Sequence, residues 1–145
     1  MSFKPAYSYI SASDFAKEWR DQKSTPSNSA WTIIDVRDDD FEGGHIKGCK
    51  NIPSNEFSEK VEKLVLDLQD AKSVLFHCSL SQARGPKAAR IYKETREEFI
   101  QTGKIENKQE QNVAVLREGF SNFGSLYKNE ADLVEDYDEE SWKYR

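Results

Sequence analysis

The sequence is poor in the residues that build crosslinked or metal-held folds. It has two cysteines and two histidines among 145 residues. Neither pair stands at the close spacing of a zinc ligand set, so no structural metal and no cofactor is expected. Basic residues are outnumbered, 21 Lys and Arg against 26 Asp and Glu, for a net charge of −5. That balance argues against nucleic acid as a partner, because gripping a phosphate backbone needs a basic face. No apolar run approaches the length of a bilayer crossing, and the opening MSFKPAYSYI lacks the apolar stretch of a secretory signal. The expectation is a cytoplasmic or nuclear protein that engages no membrane and keeps Cys49 and Cys78 as free thiols. Internal repeats are absent as well.

What is there suffices for one domain with a real core: 37% hydrophobic residues, including eight Phe, six Tyr and three Trp. Tyr9-Ile10 reads as a short strand. The helix after it can be capped by Ser11 or Ser13, and Phe15 and Trp19 share one of its faces. WTIIDV, residues 31 to 36, is a β-branched run of the kind that fills a central parallel strand. A glycine-containing loop follows, and then a short strand or strand end at Asn51-Ile52-Pro53.

Phe57, Val61, Leu64, Val65 and Leu68 fall at helical spacing. SVLFH, 73 to 77, is a strand, and a helix begins near Gly85 with Pro86 where a missing N–H is harmless. Ala88, Ile91 or Tyr92, Thr95 and Phe99 mark its inner face. VAVL, 113 to 116, makes a last strand and SNFGSLY a short helix. The alternation predicts an α/β fold with a mainly parallel central sheet and right-handed crossovers. We expect a single domain over residues 1 to 127 and a solvated acidic tail over 128 to 145, where seven acidic residues stand among few apolar ones.

Chemistry concentrates at VLFHCSLSQARGP, residues 74 to 86. A lone cysteine closing an apolar strand is by itself only a small buried hydrophobe. Here, however, an arginine, a glycine and a proline follow on a strand-loop-helix, and a buried cysteine needs none of them. Five residues, Ser79, Leu80, Ser81, Gln82 and Ala83, separate Cys78 from Arg84. A loop this short between strand and helix turns successive backbone N–H groups inward at a helix N-terminus, forming a nest for a tetrahedral oxyanion. The same groups, with the guanidinium of Arg84, favour a thiolate at Cys78. Arg84 can hold two equatorial oxygens of a phosphate while Cys78 attacks in line. Ser79 and Ser81 hydroxyls are near enough to aid the thiolate or orient water.

Strand alternation points His77 away from Cys78, which makes it a loop-holding residue rather than a base. His45 reads likewise as a loop-fixing side chain. Asp35 and Arg37 read as a pair that ties neighbouring loops.

The motif resembles the signature of cysteine-dependent phosphatases, His-Cys, five residues, then Arg-Gly-Pro. "IIDVRDDDFEGGHIKGCKNIP" (33 to 53) is similar to the first homology block of the rhodanese-fold M-phase inducer phosphatases, and "VAVLREGFSNF" (113 to 123) to their last strand and glycine turn. The resemblance implies a rhodanese-like domain, helices on both faces of its sheet, with Cys78 as nucleophile and Arg84 as the phosphate-binding arginine. Sulfurtransferases of the same fold typically have a loop one residue shorter. The chain departs from the inducer pattern at three places. Ser79 and Ala83 stand where those enzymes have acidic residues, Val36 stands where they carry a protective second cysteine, and Cys49 lies elsewhere. Its build is nearest to small single-domain fungal and plant phosphatases and to the eukaryotic arsenate reductases.

Three functions follow. The first is a tyrosine or dual-specificity type phosphatase, acting on a phosphorylated protein or small phosphate ester. An outside carboxylate, one of Asp38, Asp39, Asp40, Glu42 or Glu118, would then protonate the leaving oxygen. The second is reduction of arsenate in the same nest, with glutathione and a glutaredoxin supplying electrons and Cys49 as a candidate resolving thiol. The third is a catalytically idle phosphate-binding module.

Overall fold

The computed structural model describes residues 7–24, 31–106 and 110–143. Five strands, β1 (Ser8–Ile10), β2 (Trp31–Asp35), β4 (Lys50–Asn51), β5 (Ser73–His77) and β6 (Asn112–Leu116), form one sheet in the order β1-β6-β5-β2-β4. Every pairing in it is parallel. Helices α2 (Phe57–Asp67) and α3 (Arg84–Gln101) pack on one face, and α1 (Ala12–Ser24) and α4 (Gly119–Tyr127) on the other.

Strand alternation builds both halves of the core. Ile34, Val36, Val74, Phe76, Val113 and Val115 point to the α2–α3 side. Trp31, Ile33, Leu75, Ala114 and Leu116 point to the α1–α4 side. Because both faces are covered, the central strands read as unbroken apolar runs instead of alternating ones. Ser11 caps α1, its hydroxyl accepting from the Asp14 N–H at 3.1 Å.

Two buried polar residues depart from the sequence pattern. The inner face of α3 runs through Ala88, Tyr92, Arg96 and Phe99, so Arg96 rather than Thr95 is buried. Thr95 is half-buried and its hydroxyl turns back to the Ile91 carbonyl at 2.8 Å. Gln111 is buried too, accepting from the Tyr92 hydroxyl at 2.6 Å and donating to the Leu68 and Ala71 carbonyls.

The stretch expected to be a solvated tail packs against the domain over residues 130 to 142. Leu133 and Val134 are buried, and β7 (Val134–Glu135) pairs antiparallel with β3 (His45–Ile46). A short helix, α5 (Glu139–Trp142), follows and donates the Trp142 indole N–H to the Gly43 carbonyl at 2.8 Å. Arg20 of α1 pairs with Glu130 and Asp132. The acidic composition concealed this because the few apolar residues are the ones that turn inward, while the acids face water or a cation. Among the described residues no helix is long and apolar enough to cross a membrane.

Candidate active site

Strands β2, β5 and β6 all end on one edge of the sheet, the edge where open α/β folds place ligands. β5 ends at His77, and the next residue, Cys78, is buried on the α2–α3 side. The loop 79 to 83 then curls into α3, whose first residue is Arg84. The Cys78 Sγ accepts the N–H of Ser81 at 3.2 Å and of Gly85 at 3.4 Å. Ser81 reaches this position in a left-handed conformation, φ +54°. A Cβ on Gly85 would lie 3.2 Å from the His77 Cα, so glycine lets the helix start close over the strand end.

The loop is anchored from outside. The first turn of α4 donates the Phe120 N–H to the Cys78 carbonyl at 3.0 Å and the Ser121 N–H to the Ser79 carbonyl at 2.9 Å. Gly119 makes that approach possible. Its φ is +64°, and a Cβ there would fall 2.4 Å from the Ser79 oxygen. The sequence offered this position only as a glycine in a familiar turn.

Beneath the loop lies a buried ion pair. Arg37 Nε donates to both Asp35 oxygens at 3.1 Å and Nη2 to Asp35 Oδ2 at 2.7 Å, with both side chains fully buried. Arg37 also donates to the Gly44 and Asp40 carbonyls and sits 4.4 Å above the Phe120 ring. Burial pushes the Asp35 carboxyl up, but the His77 ring and Arg37 outweigh it and hold it below the usual range. The pair therefore ties loop 37–44 to the sheet, as the sequence reading had it.

His77 is buried, with Nδ1 3.2 Å from the Cys78 carbonyl and Nε2 3.7 Å from Asp35 Oδ2. Burial pushes its imidazolium down against the pull of Asp35. It faces away from the Cys78 side and holds the loop. His45 stacks on Phe41 at 5.0 Å and faces Glu135, so it fixes the loop as well.

Arg84 reaches across to the loop after β2. Its Nη1 donates to Asp38 Oδ2 at 3.1 Å and Asp40 Oδ1 at 2.9 Å, and Nη2 donates to Asp40 Oδ2 at 2.7 Å. The Ser79 hydroxyl donates to the same Asp40 oxygen at 2.6 Å. Arg84, opposed by partial burial, holds the Asp40 carboxyl far below the usual range. Partial burial raises that of Asp38, but Ser54 and Arg84 bring it lower. Of the five acids proposed from sequence, these two meet Arg84.

Of the loop residues named from sequence, Leu80, Gln82 and Ala83 are exposed. Ser81 is buried, and its hydroxyl has no hydrogen-bond partner among the described residues. Leu80, Ser81 and Gln82 also line a groove of about 730 Å³ bounded by Tyr9, Arg117 and Ser121. Cys49 packs among the α1–α4 side residues, across the sheet from Cys78, and its thiol is pushed up to about 12 by burial and by Asp35. Both features make it unsuited to resolve Cys78. Among the described residues no group of three or more His, Cys, Asp or Glu is placed to hold a metal ion.

Comparisons with known proteins agree with this architecture. The rhodanese-like domain family matches residues 13–126. Dual specificity phosphatase ibp1 of Schizosaccharomyces pombe is 39% identical over 137 residues, 88% of this chain and 96% of that protein. Arsenate reductase 2.2 of Oryza sativa is 29% identical, covering 79% of each chain. Among solved structures, Saccharomyces cerevisiae Ygr203w, described as a homolog of single-domain rhodanese and the Cdc25 phosphatase catalytic domain, superposes with TM-score 0.74 at 25% identity over 94% of this chain and 92% of that one. With a cysteine-centred loop at the carboxyl edge of a parallel sheet, and relatives that include both phosphatases and arsenate reductases, the chain belongs to the rhodanese-like domain family.

Proposed function

We propose that this chain is a cysteine-dependent phosphatase of the tyrosine or dual-specificity type, acting on phosphorylated proteins or small phosphate monoesters in the cytoplasm or nucleus. One observation carries the reading: the Cys78 Sγ sits where two N–H groups converge, those of Ser81 and Gly85, on a loop that ends in Arg84. In this mechanism the backbone of Ser79, Leu80, Ser81, Gln82 and Ala83 cradles the phosphoryl oxygens, and Arg84 takes two of them. The thiolate attacks phosphorus in line and the ester P–O bond breaks, its electron pair leaving on the alcohol oxygen, which takes a proton. Water then attacks the cysteinyl-phosphate, releasing phosphate and restoring the thiolate.

The weak point of this machinery is the acid. Asp38 and Asp40 are both held below the usual carboxylate range beside Arg84, so they face the resting site as carboxylates. Leaving groups of low pKa depart with least help, and turnover is expected to fall steeply from aryl to alkyl phosphates. The test is initial-rate hydrolysis of a chromogenic aryl phosphate by the wild type and Cys78→Ser. Turnover that vanishes in the variant supports the reading, and equal rates in both overturn it.

Arsenate reduction is the second reading, favoured by the rice relative and by the like shape of the two anions. Cys78 would attack arsenic and expel one oxygen as water. Glutathione would then attack the Cys78 sulfur, so that two thiols supply the two electrons and As(III) departs. The mixed disulfide left on Cys78 would be reduced by a glutaredoxin and a second glutathione. Arsenite release that requires glutathione and Cys78, without aryl phosphate turnover, would favour this route. Phosphate binding with neither activity would favour an idle binding module.

A further inference from the structure

Asp40 and Arg84 meet fork to fork, with one arm of the guanidinium on each carboxylate oxygen and the Ser79 hydroxyl on one of them. Two oxygens held by both arginine arms and a loop hydroxyl reproduce the grip that an oxyanion needs at the start of α3. The carboxylate is seated there by its own loop. Its backbone carbonyl accepts from Arg37 Nη1 at 3.2 Å, and its Oδ1 accepts the Asp38 N–H at 2.9 Å. Asp38 is fixed in turn by the Ser54 hydroxyl at 2.6 Å and the Asn55 N–H at 3.3 Å. A loop pinned in the buried core thus presents Asp40 to both arms of the arginine, with one Asp38 oxygen sharing Nη1 at 3.1 Å.

We propose that Asp40 is an internal oxyanion mimic, occupying the arms of Arg84 and the Ser79 hydroxyl in the free protein, so that every incoming oxyanion must displace it. The inference rests on the oxyanion-binding role proposed for Arg84. It adds a residue outside the cysteine loop that sets the affinity of the oxyanion site. The contact is built to be broken: the side chains of Arg84 and Asp40 are 31% and 29% exposed, so water can replace either partner as they part. A tetrahedral dianion brings more charge and more acceptor oxygens than the carboxylate it replaces. A planar monoanion brings no more than Asp40 already offers and gains little by exchange. Displacing Asp40 costs the same whichever anion arrives, so it lowers every affinity by one factor and leaves only the anions that start strongest, the phosphate-like ones, bound. Once displaced, its negative charge beside the arriving anion drives the two apart.

The experiment is calorimetric titration of inorganic phosphate into the full chain as wild type, Asp40→Asn and Asp39→Asn. Asp39 is exposed and carries the same charge one residue away, so its variant corrects for the general loss of a negative charge. Asp40→Asn is expected to bind phosphate about tenfold more tightly than the wild type, and Asp39→Asn within about twofold of it. A second measurement uses the wild type alone. Saturating phosphate should shift the side-chain carboxyl carbon resonance of Asp40 and leave that of Asp35 in place. Phosphate affinity in Asp40→Asn no higher than in Asp39→Asn, or an Asp40 resonance unmoved at saturation, overturns the proposal. Absence of phosphate binding by all three proteins would overturn the oxyanion reading of Arg84 itself, and this inference with it.

Discussion

Asp35 with Arg37 and Asp40 with Arg84 are two forks of the same chemistry, each with a shortest N–O distance of 2.7 Å, and they differ in burial. The first joins residues two apart and is closed to solvent on both sides. The second joins residues 44 apart and stands partly in water. Removing one partner of the first leaves a charge stranded in the core, whereas removing one partner of the second leaves a charge that solvent can reach. The same pairing of guanidinium and carboxylate, side-on through Nε and Nη2 in one place and end-on through Nη1 and Nη2 in the other, therefore serves as a fixture in the first and as a replaceable contact in the second.

The strongest way to separate them is Arg84→Lys, which keeps the charge and discards the fork. We expect kcat/KM toward an aryl phosphate to drop at least about 100-fold, close to 3 kcal/mol of transition-state stabilisation, with the urea midpoint nearly unchanged. A large fall in the urea midpoint would mean that the second fork is also a fixture. Next comes Arg37→Met, which strands Asp35. Urea unfolding should show a loss of about 3–5 kcal/mol, and a loss below about 1 kcal/mol would show that Asp35 is solvated or protonated at little cost. The smallest effect belongs to Trp142→Phe, which deletes the indole donor to Gly43 on the loop that joins both forks. A stability loss of about 1 kcal/mol is expected by the same measurement, and no loss would mean that α5 rests on the loop without restraining it.

Most of the sheet and the cysteine loop could be read from the chain, because their signals are local. Apolar runs such as SVLFH mark strands buried on both faces, and the offsets from Cys78 to Arg84, Gly85 and Pro86 mark a strand-loop-helix. The Asp35–Arg37 pair was legible for the same reason of closeness. What escaped depends on residues far apart. Nothing near Asp40 announces Arg84, and nothing near Gln111 announces Tyr92. In NEADLVEDYDEESWKYR the helical and strand periods are swamped by charge, yet Leu133 and Val134 are buried and a two-residue strand pairs with β3. Arg96 took an inner position assigned to Thr95 because the burial stripe of α3 runs through Ala88 and Tyr92, and the next turn of the helix brings residue 96, not 95, onto it.

The seating of β7 and α5 also sets an order of assembly. On a ribosome the chain emerges from its N-terminus, so a contact can form only once both of its partners have been made. The cysteine loop and Arg84 are made early, but the Gly43 carbonyl gains the Asp138 N–H and the Trp142 indole only after residues 138 and 142 have been added. The loop bearing Asp40 is therefore the last part of the site to be fastened, and a nascent chain that already holds Cys78 and Arg84 still lacks the finished surroundings of both.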